Sequence, residues 1–344
     1  MRRALLVLLL LAVSAAGFWW YETRFPVRTA SQPPQVLLVE PGQGALDVGA
    51  SLYQLGLVRH PQVFRWHVAL RGDDGRLRTG EYELKGELSL DQIADLLVAG
   101  DVVRRTVTFP EGKDLEETAA IAAAAGFDKE AFRAAARNAA LVHDLDPEAT
   151  DLEGYLFPDT YDVTRRPDAA AVLVQRMVQR FREALKAEAA ALTASGRDVR
   201  EVVTLASVVE KETARGDERP RIAAVFLNRL RVGMPLQTDP TVIYALRRAG
   251  RYDGNIRRAD LEIDSPYNTY RNPGLPPGPI ASPGLLALKA ALHPEAVDDL
   301  YFVSRNDGSH YFSRTLAEHA RAVDHYQRGR GAPPAGDRGR GGSR

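Results

Sequence analysis

The sequence predicts an α+β protein, on the basis of two patterns of apolar residues. In the first third of the chain, short apolar strands are each followed by a Pro/Gly turn and a small amphipathic helix. From about residue 168 onward, apolar residues recur mainly at helical spacing, until a strand pair near the C-terminus. We therefore expect a small α/β region followed by a mainly helical domain that ends in a C-terminal β-hairpin.

The N-terminus begins with a segment that is long and apolar enough to cross a bilayer. Arg2 and Arg3 precede an uncharged, mostly apolar run, Ala4–Tyr21, which ends in Trp19, Trp20 and Tyr21. This length just spans a hydrocarbon core, and aromatic side chains favour the membrane interface. The two arginines predict a cytoplasmic N-terminus. A cleaved signal peptide, cut after small residues near Ser14–Ala16, is the competing interpretation; under both, the remainder of the chain is exported.

Three strand–turn units follow a proline-containing linker at residues 23–35. The strands are centred on Val36–Val39, Gly80–Leu84 and Val107–Phe109, and helices are predicted to begin near Ser89 and Asp114. Asp114 with Glu117 three residues later is a capping pattern.

The second part of the chain is predicted to be mostly helical. A connector at Gly154–Tyr161 leads into one long helix, and Asp239 with Pro240 is expected to start a later helix as N-cap and first helical residue. Asn306-Asp307-Gly308 indicates a hairpin turn, and Thr315 with Glu318 is expected to cap the last helix. The predicted elements are helices at Asp168–Ser195, through Glu210 and at Arg219–Val232, and strands at 300–304 and 310–313.

Composition excludes several classes of function. The 45 basic and 45 acidic residues balance, so overall charge does not point to nucleic acid. There is no cysteine, which excludes disulfides, thiolate catalysis and Cys-based zinc sites. The seven histidines show no metal-ligand spacing, so no metal is expected. Residues 327–344 are rich in Gly, Arg and Pro and are predicted to be a disordered tail.

Glu210 is the most informative carboxylate. It ends a run, Val202–Val209, that is apolar on nearly every face of a helix. A carboxyl at the edge of the core has a raised pKa, which suits a general acid near neutral pH. The alternative is that Glu210 opens a solvated turn with Lys211 and Glu212, and spacing alone favours that second interpretation.

A series of motifs around Glu210 changes this balance. They read EGYLFPDTY, VVEKET, VFLNRL, GMPLQTDPTVIY, SPYNTY and GLPPGPIASPG, in that order along the chain. Their wording and order resemble the YceG-like endolytic murein transglycosylases, also called the MltG family, over most of the chain to about Tyr326. In that family the Glu that opens the EKET segment is the catalytic acid/base, which implies that role for Glu210.

The resemblance also implies an organisation and a reaction. It divides the chain into a cytoplasmic stub and anchor (1–22), a linker (23–35), a LysM-like module (36–110), a catalytic domain (111–326) and a tail (327–344). The family cleaves the MurNAc–GlcNAc bond of nascent peptidoglycan to 1,6-anhydroMurNAc ends, without a cofactor. It implies a single-pass inner-membrane protein whose catalytic domain is periplasmic, with penicillin-binding synthases as suggested partners. The LysM-like module either binds glycan or is only a packing domain.

Substrate contacts are expected from polar groups of two loops. The candidates are Gln237, Thr238, Asp239, Tyr267, Asn268 and Tyr270, the last three within a proline-rich loop at residues 264–284. Glu212 points away from Glu210 on a helix and is expected to pair with Arg215. Asp217 and Glu218 are expected at the start of the next helix. The sequence therefore predicts a single catalytic carboxyl.

Other enzyme classes fit less well. Serine-acylating signatures and a phosphate-binding loop are absent from the sequence. The label aminodeoxychorismate lyase, which family members have carried, requires pyridoxal phosphate, and none of the lysines follows a signature for it. The remaining alternative is a non-catalytic glycan-binding or scaffold protein of cell-wall synthesis, in which Glu210 is structural.

Overall fold

Short strands alternate with helices in the first third of the chain, and helices predominate afterwards, which confirms the predicted α+β class. This is a computed structural model, and it describes residues 2–29, 31–85, 87–164, 168–332 and 334. The chain divides into an N-terminal unit (Met1–Val107 and Tyr161–Ala169) and a C-terminal unit (Thr108–Thr160 and Ala170–Arg344).

The N-terminal unit is built on one antiparallel strand pair. β1 (Gln35–Val39) pairs with β2 (Gly80–Leu84), and Leu37 lies opposite Tyr82. Helices α2 (Ala45–Gln54) and α3 (Pro61–Leu70) lie between the strands in the chain, and α4 (Leu90–Ala99) follows them. Alternate strand residues and one stripe of each helix form a common core; its largest members include Leu37, Tyr82, Leu52, Phe64, Ile93 and Leu97. Ser89 and Gln92 form a capping box that starts α4.

The N-terminal unit begins with helix α1 (Arg2–Arg24). Its segment Arg3–Arg24 is long and apolar enough to cross a membrane, and none of its apolar window is buried. This is consistent with a single-pass membrane protein. The last turns of α1 differ, because Trp19 packs against the core of the N-terminal unit and Glu22 and Thr23 are buried.

The remaining elements begin with a second strand pair, β3 (Arg104–Thr108) with β4 (Thr160–Thr164). The boundary between the units falls within both strands. The helices that follow β3 are α5 (Leu115–Ala124), α6 (Lys129–Ala136), α7 (Ala169–Ala187), α8 (Ala189–Ser195), α9 (Val199–Glu212), α10 (Arg219–Arg231), α11 (Asp239–Arg248), α12 (Leu285–Leu292) and α13 (Leu316–Arg328). Strands β5 (Tyr301–Ser304) and β6 (His310–Ser313) pair antiparallel before α13.

Helix α9 lies at the centre of the C-terminal unit. Asp198 and Glu201 form its capping box, and every residue from Val202 to Val209 is buried. It packs against α10, α11 and α12. The apolar run before Glu210 is therefore a core helix covered on all sides, and Glu210 lies in its last turn.

Several predicted boundaries need correction. The helix expected at Asp168–Ser195 is interrupted at Glu188, whose carboxylate contacts Lys289 and His293. The connector Gly154–Tyr161 runs into β4, and α3 was not predicted. Residues expected in the tail extend α13 to Arg328; of the rest, only 329–332 and 334 lie among the described residues.

Capping was predicted correctly at two helices and wrongly at a third. Asp114 with Glu117 and Thr315 with Glu318 form the expected capping boxes of α5 and α13. Asp239 is instead the first residue of α11, after Thr238 as N-cap. The carboxylate of Asp239 accepts a hydrogen bond from the Tyr270 hydroxyl at 2.6 Å, a long-range partner that replaces the local one.

A substitution at Gly154 tests how closely this residue packs against Pro279 and α9. Its φ of +85° is one that other residues rarely adopt, and an added Cβ would lie 2.4 Å from Cβ of Pro279. We expect Gly154→Ala to cost about 1–2 kcal/mol from the backbone and a further ~1–3 kcal/mol from overpacking. Gly196→Ala is the matched control, because Gly196 has a φ of +65° with open space around it. Urea unfolding of both variants measures the difference, and equal losses would contradict the packing at Gly154.

Candidate active site

Glu210 is held by two groups that come from other parts of the C-terminal unit. Its side chain is only 5% exposed. One carboxylate oxygen, Oε1, accepts a hydrogen bond from Nη2 of Arg219 at 2.6 Å. The other, Oε2, accepts the backbone N–H of Gly284 at 3.0 Å. Both oxygens are thus oriented by donors, and the side chain is fixed at the end of α9.

Backbone hydrogen bonds hold the segment 280–284 between α9 and the turn at 111–113. The hydroxyl of Ser207 on α9 accepts the N–H of Ile280 at 3.1 Å. Ser282 accepts the N–H of Gly112 and donates its own N–H to the carbonyl of Lys113, both at 2.9 Å. The end of the proline-rich loop is therefore the part that reaches Glu210.

Close approach at this point requires glycine. A Cβ on Gly284 would lie 1.9 Å from Oε1 of Glu111, so any side chain there would displace the Glu111 carboxylate. Gly112 has a φ of +72°, and its carbonyl accepts a hydrogen bond from the Lys211 ammonium at 2.9 Å. The backbone of both glycines thus forms one wall around Glu210.

Arg219 connects two carboxylates. It is the first residue of α10, its side chain is 6% exposed, and its Nη1 and Nη2 each lie 3.5 Å from Oε2 of Glu111. Nε of Arg219 is buried without a hydrogen-bond partner among the described residues. The sequence analysis gave neither Glu111 nor Arg219 a functional role. The two lie 108 positions apart, so no local pattern could have joined them.

The protonation of Glu210 is set by opposing effects. Burial raises the pKa of its carboxyl above the usual value, and this is the largest effect. The Gly284 N–H and the Arg219 guanidinium lower the pKa, the Glu111 carboxylate raises it, and Lys211 lowers it. The net direction is upward. A carboxyl with a raised pKa and a cation beside it can both release a proton and stabilise the carboxylate that remains.

Glu212 has a different partner from the one predicted. The expected pair with Arg215 does not form, since Arg215 contacts Asp217 at 2.8 Å. Glu212 instead accepts a hydrogen bond from the Thr238 hydroxyl at 2.7 Å, and burial raises the pKa of its carboxyl. It thereby joins the end of α9 to the start of α11.

An open cleft of about 380 Å³ lies beside Glu210. This volume is within the range of small-molecule binding sites. It is lined by Glu111, Gly112, Lys113, Glu210, Lys211, Glu212, Thr213, Ala214 and Arg219. The lining is strongly polar, with both signs of charge, which suits a hydroxyl-rich ligand better than an apolar one.

The six predicted substrate residues lie together but do not line this cleft. Thr238 donates its N–H to the Thr269 hydroxyl, and Gln237 donates its N–H to the Thr269 carbonyl, both at 3.2 Å. Tyr270 binds Asp239, as described above. Glu212 is the link, because it lines the cleft and holds Thr238. Their contact with a ligand remains a prediction.

Asn268 and Tyr267 have clear roles within the fold. Asn268 is fully buried, and its side-chain amide donates to the carbonyls of Leu261 and Ile263, each at 2.9 Å. The Tyr267 ring lies 4.9 Å from that of Tyr244. Asn268 therefore holds the loop in shape, while Gln237, Asp239 and Tyr270 keep exposed or half-exposed polar groups.

A second cleft, of about 820 Å³, contains another buried carboxyl. Glu153 accepts the Leu115 N–H at 3.1 Å and the Tyr244 hydroxyl at 3.2 Å, and burial raises its pKa to about 8. Its bond to the first residue of α5 explains its burial as a helix-end contact. Across the described residues, no group of three His, Asp or Glu side chains is arranged to hold a metal ion.

Comparison with known proteins identifies a family that matches most of the chain. Residues 37–325 match the model of the YceG-like family. The endolytic murein transglycosylase of Bacillus subtilis (strain 168) is 33% identical over 317 residues, which are 88% of this chain and 87% of that protein. The endolytic murein transglycosylase of Streptococcus pneumoniae D39 is 31% identical over 348 residues, 90% of this chain and 62% of that protein.

A solved structure shares the fold. The crystal structure of a yceG-like protein from Listeria monocytogenes aligns with a TM-score of 0.57 at 32% identity. The alignment covers 84% of this chain and 99% of that structure.

The shared Arg219 generates a prediction about Glu111. Replacing Glu111 by Gln removes a negative charge that raises the pKa of Glu210. In the variant, Glu210 is the remaining carboxylate partner of Arg219 in the cleft. We expect the pKa of Glu210 to fall in Glu111→Gln. The measurement is a ¹³C NMR titration of labelled Glu side chains, with the Glu210 signal assigned by its loss in Glu210→Gln.

Glu148→Gln is the control, because Glu148 is 83% exposed and lies outside the cleft lining. An unchanged or raised pKa of Glu210 in Glu111→Gln would show that the two carboxylates do not interact through Arg219.

Proposed function

The chain belongs to the YceG-like family, and we propose that it is a membrane-anchored lytic transglycosylase that cleaves peptidoglycan strands internally. Its relatives in Bacillus and Streptococcus are named endolytic murein transglycosylases. The observation that carries the proposal is Glu210 itself: a buried carboxyl with a raised pKa, held by Arg219 and Gly284 at the wall of an open polar cleft.

The reaction needs one group that works as acid and then as base. Protonated Glu210 donates its proton to the glycosidic oxygen between MurNAc and GlcNAc as the bond from that oxygen to the anomeric carbon breaks. The C6 hydroxyl of the same MurNAc then attacks the anomeric carbon, and its proton passes to Glu210. The product carries a 1,6-anhydro ring. The nucleophile already belongs to the substrate, so little entropy is lost in bringing it to the reacting carbon.

The surroundings of Glu210 support both halves of this cycle. Burial and Glu111 favour the protonated acid that the first step requires. Arg219 and the Gly284 N–H stabilise the carboxylate that the first step leaves behind. Since these donors are already in place, the site needs no large reorganisation between the two steps.

The other two carboxylates of the cleft, Glu111 and Glu212, each have a partner within the protein. Glu212 is bound by Thr238, and Glu111 lies against Arg219 and Gly284. A hydrolase would need one of them to activate water. We propose that neither does, and that Glu111 acts on the pKa of Glu210. The products separate the two reactions, because hydrolysis adds one water to the fragment that transglycosylation leaves as an anhydride.

Glycan contacts are proposed along Gln237–Asp239 and the Tyr267–Tyr270 segment. The Glu212–Thr238 hydrogen bond joins this surface to the cleft, so a strand extending from Glu210 would meet exposed amide, carboxylate and phenol groups. The LysM-like character of residues 36–110 and binding of glycan by that module are proposed from the family resemblance.

The location proposed follows from α1. Arg2 and Arg3 before the apolar segment favour a cytoplasmic N-terminus, which leaves the C-terminal unit on the outer, periplasmic side of the cell membrane. We propose penicillin-binding synthases as neighbours, on the family resemblance alone.

Replacing Glu210 by Gln tests the enzyme directly. The amide keeps the shape of the side chain but cannot act as a general acid, so we expect cleavage of uncrosslinked glycan strands to fall roughly 10²- to 10⁴-fold. Products are weighed by mass spectrometry. The control is Glu183→Gln, an exposed Glu of α7 in the same unit. Wild-type protein that makes no anhydro-ended fragments, or a Glu210→Gln variant that makes as many, would leave the non-catalytic glycan-binding alternative.

Topology has its own test. An alkaline phosphatase fused after Tyr326 should be active, because that enzyme requires the oxidising compartment outside the cytoplasm. The same fusion with Arg2 and Arg3 changed to Glu measures the contribution of the two arginines. Activity of a reporter that works only in the cytoplasm, fused at the same position, would reverse the proposed orientation.

A further inference from the structure

Helix α3 leaves two large apolar side chains outside the core of the N-terminal unit. Trp66 is 56% exposed and Leu70 is 77% exposed. They are four positions apart and therefore lie on the same edge of the helix. Three other apolar residues of the helix, Val63, Phe64 and Val68, are buried in the core. This edge of α3 has an apolar surface that the N-terminal unit does not cover.

Helix α3 crosses α1 near the end of the apolar segment. The His60 ring lies 6.1 Å from Phe18, and the His67 ring lies 5.9 Å from Trp19. The two histidines are about 10 Å apart along α3, whereas Phe18 and Trp19 are about 1.5 Å apart along α1. The two contacts are separated by two turns of α3 but lie at nearly the same level of α1. Helix α3 therefore runs across α1 rather than along it.

The end of α1 is attached firmly to this unit. The Arg59 guanidinium lies over the Tyr21 ring at 4.6 Å and donates to the carbonyls of Phe25 and Pro26, each at 3.1 Å. Arg24 contacts Asp91 at the start of α4 at 3.3 Å. The anchor helix is therefore fixed to the rest of the N-terminal unit, and the depth of α1 in a membrane sets the depth of α3.

The length of the apolar run of α1 places α3 at the membrane interface. The apolar run Ala4–Tyr21 is about 27 Å long as a helix, close to the ~30 Å of a hydrocarbon core. Phe18 and Trp19 lie within about 5 Å of its outer end. Helix α3, which crosses at this level, would thus lie in the headgroup layer and parallel to the bilayer plane.

The exposed edge of α3 faces away from the core. On a helical wheel, Trp66 and Leu70 lie roughly 110° to one side of the buried stripe, and the exposed Arg65 lies roughly 130° to the other side. The core meets α1 at Trp19, near the outer end of the apolar run, and the buried Glu22 and Thr23 follow beyond that end. The core therefore lies on the outer side of α3, and the edge turned away from the core is turned toward the lipid.

We propose that Trp66 and Leu70 insert into the lipid interface and form a second membrane contact of the N-terminal unit. Tryptophan is favoured at this depth because its ring is apolar while its N–H can remain hydrated. The inference rests on the proposed membrane anchoring by α1 and adds to it. A single spanning helix leaves the unit free to tilt, whereas a helix lying at the interface beside it restricts that motion.

The absence of cysteine from the chain allows a direct measurement. Single-cysteine variants Leu70→Cys and Arg65→Cys of the full-length protein are labelled with an environment-sensitive fluorophore and reconstituted into phosphatidylcholine/phosphatidylglycerol vesicles. Both positions are exposed on the same helix, so neither change should disturb folding. We expect the label at position 70 to shift to the blue and to be quenched at least twofold more than that at position 65 by lipids spin-labelled near the headgroup.

The outcomes separate the two proposals. Protein that floats with the vesicles and shows preferential quenching at position 70 supports the second contact. Protein that floats, but with equal quenching at both positions or stronger quenching at position 65, overturns the second contact while α1 remains the anchor. Protein that does not float overturns the anchoring and the second contact together, and the Glu210→Gln assay of cleavage is independent of both.

Discussion

The ion pair between Glu210 and Arg219 is the interaction around which the candidate active site is built. Both side chains are almost fully enclosed, and their separation is 2.6 Å. Two charges are costly to bury, and removing one partner leaves the other uncompensated. The surrounding structure has to hold both in place, and it does so with backbone from two distant segments. The turn at Glu111–Lys113 and the segment ending at Gly284 hydrogen-bond to each other, and Gly284 also donates to Glu210.

This arrangement accounts for a single carboxyl that changes protonation during a reaction. Burial raises the pKa of Glu210, whereas the Gly284 N–H and Arg219 lower it. Together they leave the pKa raised but the carboxylate stabilised. Glu111 shares the same guanidinium, so the balance depends on three side chains rather than one. The carboxyls of the cleft differ in their surroundings. Glu212 is bound by Thr238, whereas Glu210 faces the open space of the cleft.

How far the sequence predicted this can be judged from particular residues. The buried helix that carries Glu210, the caps at Asp114 and Thr315 and the apolar α1 follow from patterns within a few turns, and all were predicted. Helix α3 was missed, and its buried His67 lies against Trp19 and Asp91, which come from other elements. The predicted Glu212–Arg215 pair was wrong because a hydroxyl 26 positions away competes successfully for the carboxylate.

Periodicity, capping and motif order thus determined the elements, the family and the candidate acid, since each is a property of neighbouring residues or of their order. Folding determined the partners. The contacts of Glu210 with Arg219 and Gly284, and of Arg219 with Glu111, join segments up to 108 positions apart. No local pattern encodes such contacts, because they depend on how α9, α10 and the loop before α12 pack. The pKa of Glu210 depends on these contacts, and so its chemistry is a property of the folded chain.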